Sequence, residues 1–154
     1  MVEQATSRVF KMALCQVKTV RDKATNLDSA RRMITEAASR GAQVIMLPEM
    51  FVTPFQKEFM LANAEPVKLE GFMEDARCET SQMLSKLAKE TQTYIIGGSI
   101  PELVENDRRI FNTCLCFDKE GKIAATHRKQ HLFDVDIPGG ITFFESNYVS
   151  AGPP

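Results

Sequence analysis

The chain has 154 residues, 44% of them hydrophobic and 25% charged, and carries a formal net charge of -1. At such a length roughly 68–70% of the unfolded surface can be buried, so one core is expected and a disordered or fibrous chain is excluded. There is no dense Lys/Arg block and no apolar run near the ~18 residues of a membrane span; a small, nearly neutral ligand is therefore a more natural partner than nucleic acid or membrane.

Met1 to Arg8 is polar and lacks the apolar stretch of a secretory signal, so residues 1–8 read as a flexible leader before a domain over 9–154. Val9 to Val17 alternates loosely between apolar and polar positions, which predicts a first strand. From Ala24 to Arg40 the positions Leu27, Ala30, Ile34, Ala37 and Ala38 follow helical spacing, and Gly41 stands where a left-handed cap ends a helix. Val44 to Leu47 is a short continuous apolar run, the pattern of a strand buried on both faces, and Pro48 ends it. Strand, helix and strand in this order imply an alpha/beta layer architecture.

Phe51 to Gly71 shows no clear period and reads as a long loop with short helical turns. Glu74 to Glu90 is a second predicted helix, with Met83, Leu84, Leu87 and Ala88 on one face, followed by a strand from Tyr94 to Ile100. Ile110 to Phe117 and Lys122 to His127 form a hairpin across Asp118-Lys119-Glu120-Gly121. Beyond Arg128, Pro138, Gly139 and Gly140 break any regular element. The cysteines Cys15, Cys78, Cys114 and Cys116 include no CxxC pair; they fit buried free thiols in a reducing cytoplasm.

Two residues attract chemical interest. Glu49 stands just past the buried run, at the carboxyl end of a sheet strand, where open alpha/beta sheets bind ligands. Composition alone makes it a surface loop carboxylate, but its place between Pro48 and two apolar residues suits a partly desolvated base. Lys129 lies among His127, Arg128 and His131, a cluster that is either a solvated rim or a clamp for an oxyanion or carboxylate. The spacing of His127 and His131, even with Asp134 and Asp136 nearby, does not point to a metal.

Four segments, Gly41-Ala42-Gln43-Val44-Ile45-Met46-Leu47-Pro48-Glu49, Ile95-Ile96-Gly97-Gly98-Ser99-Ile100-Pro101-Glu102, Phe111-Asn112-Thr113 and Arg128-Lys129-Gln130-His131-Leu132-Phe133-Asp134-Val135-Asp136-Ile137-Pro138-Gly139, together resemble the nitrilase superfamily of carbon-nitrogen hydrolases. The continuation Ile141-Thr142-Phe143-Phe144-Glu145-Ser146 is most similar to its omega-amidase branch. The resemblance implies an amidase in which a Cys attacks the amide carbon, a Glu takes the thiol proton and a Lys stabilises the tetrahedral intermediate. By position Glu49 matches the base, Lys129 the catalytic Lys, and Glu145 the second Glu that holds Lys and substrate. A free thiol has a pKa of about 8.5, which is why such a nucleophile needs a carboxylate beside it.

The implied fold is a four-layer αββα sandwich, of which this chain supplies the amino-terminal half. The family's nucleophilic Cys, in a Cys-Tyr-Asp context, lies downstream of the position matching Glu145, and no residue here matches it, so the expectation is an incomplete domain, inactive by itself. Implied besides are small dicarboxylate monoamides as substrates, no cofactor, a dimer or larger homo-oligomer, and an exposed apolar sheet face. His127 stands where the family usually has Tyr. The alternative reading is a truncated, non-catalytic homologue that serves as a binding or assembly partner.

Overall fold

The first unit is β1 (Met12–Leu14), α1 (Lys23–Ser39) and β2 (Val44–Met46), with the two strands parallel and adjacent. It belongs to a computed structural model that describes residues 9–104, 106 and 109–153; the expected leader, residues 1–8, lies outside the described residues. β1 is shorter than the predicted Val9 to Val17, and Val9 and Phe10 are exposed beyond its end. α1 starts where Asp22 accepts the N–H of Thr25 at 2.8 Å, and it buries Leu27, Ala30 and Ile34, the stripe its spacing predicts. Buried Asn26 was not foreseen: its amide donates to the carbonyls of Val20 and Val52, tying the loop after β2 to this helix.

α2 (Lys57–Ala62) supplies the helical turn expected in the next loop, and α3 (Glu79–Thr91) begins five residues later than predicted. The delay has a polar cause. Asp75 binds Arg77 and Lys68, and the Gln82 amide donates to the carbonyls of Phe72, Met73 and Asp75, so this stretch is held as a turn. The buried carboxylate of Glu65 then caps α3 by accepting the Thr80 N–H and hydroxyl, with the Lys23 ammonium 2.7 Å away.

The remaining strands are β3 (Tyr94–Ile96), β4 (Ile100–Val104), β5 (Arg109–Phe117), β6 (Ile123–Arg128), β7 (Asp134–Asp136) and β8 (Thr142–Phe144). β1, β2 and β3 are parallel neighbours; β3 and β4 lie end to end along one edge of β5, and β6 pairs with its other edge, all antiparallel. The single strand predicted from Tyr94 to Ile100 is thus two strands. Gly98, at φ +59, turns the chain between them, and its backbone passes so near Pro48 that a Cβ there would lie 2.0 Å from the Pro48 carbonyl oxygen.

α1 and α3 pack on one face of the sheet over Ile34, Leu84, Ile45, Ile95 and Leu115. This makes a mixed α/β fold in which one helix layer covers the six-stranded sheet. The other face stands open, with Leu14 71%, Tyr94 48% and Met12 41% exposed, which is the apolar face expected from the sequence. One expectation needs correcting accordingly: β2 is not buried on both faces, because Ile45 is enclosed while Val44 and Met46 are half-buried.

A second correction concerns the segment after Arg128. It is regular, with β7 and β8 forming an antiparallel pair and Pro138, Gly139 and Gly140 making its turn. A smaller cluster of Met50, Met60, Ile110 and Val149, flanked by Leu132 and Tyr148, fastens this hairpin to the rest. Among the described residues no helix is long and apolar enough to cross a membrane.

Candidate active site

Three chain segments deliver the site. Glu49 follows β2 in a tight turn whose next residue, Met50, is 2% exposed and sits at φ +49, a strained value for a side chain of this kind. The turn is held from β4's approach, where the Ser99 hydroxyl accepts the Met50 N–H at 3.0 Å. Lys129 follows β6; its N–H donates to the Asn112 carbonyl of β5, and its own carbonyl accepts the Gly152 N–H, both at 2.8 Å. Glu145 opens a 3-10 turn directly after β8.

These segments converge. The Lys129 ammonium lies 3.0 Å from Glu49 Oε1 and 2.9 Å from Glu145 Oε2. Glu145 is fully buried and also accepts the Phe133 N–H at 2.6 Å, whereas Glu49 is exposed at the mouth. The three residues singled out in the sequence are therefore brought together. Two cavities flank them. One, of about 440 Å³, reaches along the open sheet face past Asn112, Cys114, His127 and His131; the other, of about 380 Å³, is walled by Phe55, Phe133, Ile141 and Phe143.

Burial alone would pull the Lys129 pKa down, but its hydrogen bonds to Glu145 and then Glu49 outweigh that, and the pKa is raised above the ordinary 10.5. A raised folded pKa stabilises the fold fully below the unfolded value and loses that contribution as pH climbs through the folded value. Titration of the Lys129 ammonium by NMR is expected to show a midpoint above 10.5, and Glu145→Gln is expected to lower it. An unchanged midpoint in that variant would count against the pairing.

The cationic cluster around Lys129 does not act as one group. Arg128, one residue earlier in the strand, turns to the opposite side, where it makes a two-pronged pair with buried Glu102 and lies 4.2 Å from the Phe111 ring centroid. Thr113 donates its hydroxyl to the same carboxylate. Cys114 lines the first cavity, but burial, followed by the charge of neighbouring Cys116, pushes its thiol up to about 12, so it is protonated at neutral pH and a poor nucleophile. Cys15 and Cys78 are buried in the core. Among the described residues no group of three or more His, Cys, Asp or Glu is placed to hold a metal ion.

Asn112 had no assigned role in the sequence reading. It is 3% exposed and its amide donates to Glu49 Oε1 at 2.6 Å and to Glu145 Oε1 at 3.4 Å. The available signal was an amide, beside Thr113, within the largely apolar strand Ile110 to Phe117.

The family model described as carbon-nitrogen hydrolase matches residues 11–154. The chain belongs to the carbon-nitrogen hydrolase family. This chain is 44% identical over 143 residues to the chloroplastic omega-amidase of Arabidopsis thaliana, covering 93% of itself and 37% of that protein. It is 42% identical to the omega-amidase NIT2 of Homo sapiens, again over 93% of itself and 48% of the relative. Its fold resembles Nit3 of Saccharomyces cerevisiae, a member of branch 10 of the nitrilase superfamily, with a TM-score of 0.75 at 28% identity over 90% of this chain and 46% of that one. The C. elegans NitFhit protein gives a TM-score of 0.76 at 27% identity, over 94% of this chain and 33% of that one. The carbon-nitrogen hydrolase chain thus spans less than half the length of these relatives.

Proposed function

We propose that this protein is the part of an omega-amidase-like enzyme that carries its base and its cation, acting on the amide of small dicarboxylate monoamides. The observation that carries the reading is one ammonium, Lys129, held between an exposed carboxylate, Glu49, and a buried one, Glu145. The asymmetry suits different duties. Glu49, accessible at the cavity mouth, accepts the proton of a thiol; Glu145, enclosed and bound to the Phe133 N–H, keeps Lys129 in place.

In this mechanism sulfur attacks the amide carbon while its proton passes to Glu49. The carbonyl oxygen becomes an anion beside Lys129. Glu49 then returns the proton to the leaving nitrogen, ammonia departs, and a thioester remains. Water attacks that thioester with Glu49 again taking a proton, which frees the acid and restores the thiol. The thiol would come from a Cys outside these 154 residues, since none of Cys15, Cys78, Cys114 and Cys116 stands in the Cys-Tyr-Asp context of the family's nucleophile. The chain alone is proposed to be inactive. A reducing cytoplasm suits a reaction run by a free thiol, and the open sheet face suits a homo-oligomer.

Protein isolated from its native source is expected to release ammonia from succinamate, and Glu49→Gln is expected to slow this by about 10²–10⁴-fold. No release across a panel of such amides would overturn the assignment. If the native protein also had an intact mass near 17.3 kDa, the open face with Leu14 and Tyr94 would favour the second reading, a non-catalytic assembly partner.

A further inference from the structure

We propose that Asn112 is a positioning residue that selects which oxygen of Glu49 takes the proton, an inference that rests on the general-base reading of Glu49. Glu49 has two carboxylate oxygens, and among the described residues both of its side-chain contacts fall on one of them: Oε1 receives the Lys129 ammonium at 3.0 Å and the Asn112 amide at 2.6 Å. A carboxylate oxygen that already accepts two donors is a poor place for a further proton. The basic lone pairs are left on Oε2.

The kind of donor matters. Two carboxylates and one ammonium leave this cluster one negative charge in excess, and Glu145 within it is fully buried. A second cation would cancel that excess but would weaken Glu49 as a base; an acid at position 112 would repel both neighbours. A primary amide supplies two N–H groups and no charge, and it does not titrate at any working pH. Asn112 uses one N–H toward Glu49 and the other toward Glu145. Its backbone carbonyl accepts the Lys129 N–H at 2.8 Å, so one residue of β5 touches all three charged residues. The rigid centre of a strand, with Pro101 of β4 opposite, holds that amide still.

Two measurements test this. In the 154-residue chain, the Asn112 side-chain amide proton that faces Glu49 is expected to resonate well downfield by NMR and to move upfield in Glu49→Gln. An amide signal indifferent to that change overturns the proposal. In the native-source protein, Asn112→Leu and Asn112→Asp are both expected to lower kcat for succinamate at least 30-fold while KM changes less than threefold, because buried Asn112 acts through Glu49. Activity in either folded variant within threefold of wild type overturns it too. Failure of the wild-type protein to release ammonia would defeat the amidase reading instead, leaving the NMR result to decide how Asn112 holds Glu49. That same NMR result decides the matter if neither variant folds.

Discussion

Glu145→Ala is expected to lower the unfolding free energy by about 1–3 kcal/mol, the range for leaving a buried hydrogen-bonding group without its partner. The Glu145 side chain is fully buried, and its loss takes an acceptor from three donors, the Lys129 ammonium at 2.9 Å, the Phe133 N–H at 2.6 Å and the Asn112 amide at 3.4 Å, of which Lys129 and Asn112 keep Glu49. Urea unfolding monitored by circular dichroism would show the loss as a lower midpoint at unchanged slope. Glu49→Ala provides the contrast, because that carboxylate is exposed and its pair with Lys129 is worth at most about 1 kcal/mol. Equal losses in the two variants would mean that burial does not distinguish the two carboxylates.

Gly98→Ala is expected to cost about 2–4 kcal/mol and to displace Glu49, from a left-handed backbone penalty of about 1–2 kcal/mol and a steric clash that adds to it. The added methyl would sit 2.0 Å from the Pro48 carbonyl oxygen and 3.0 Å from the Leu47 carbonyl carbon. Those are backbone atoms of the very turn that presents Glu49, so relief has to come from moving Glu49. Gly71→Ala separates the two contributions: it shares a positive φ, +69, but nothing lies within 4 Å of the new methyl, and it should lose only about 1–2 kcal/mol. Thermal unfolding of both variants measures the difference, and similar values for the two would remove the steric argument.

Elements governed by neighbours in sequence were legible from it. The apolar stripe of α1 at Leu27, Ala30 and Ile34, the buried Ile45 of β2 and the β5–β6 hairpin follow from local periodicity. Features decided by distant partners were not. The split between β3 and β4 depends on Pro48 passing against Gly98, and the late start of α3 depends on Gln82 reaching back to three carbonyls. β7 and β8 were hidden because each is three residues long and their turn residues read as breaks. Within the site, Glu49, Lys129 and Glu145 could be singled out by resemblance to a family. Arg128 could not be separated from Lys129, since only the pleat of β6 sends them to opposite sides, and Asn112 acquires its meaning only from charges that lie 33 and 63 residues away.

The two anions around Lys129 are anchored in bodies of unequal strength. Glu49 hangs from the six-stranded sheet, beside the large core, whereas Glu145 hangs from a two-stranded ribbon whose side chains Phe133, Ile137 and Ile141 are more than half exposed. Short ribbons with so little covering lift and reseat at far lower free energy than the sheet beneath them. Lifting the ribbon would take Glu145 off the ammonium and leave Glu49 where it is. The sheet thereby fixes where Glu49 stands, and the ribbon fixes whether Lys129 has one anion beside it or two.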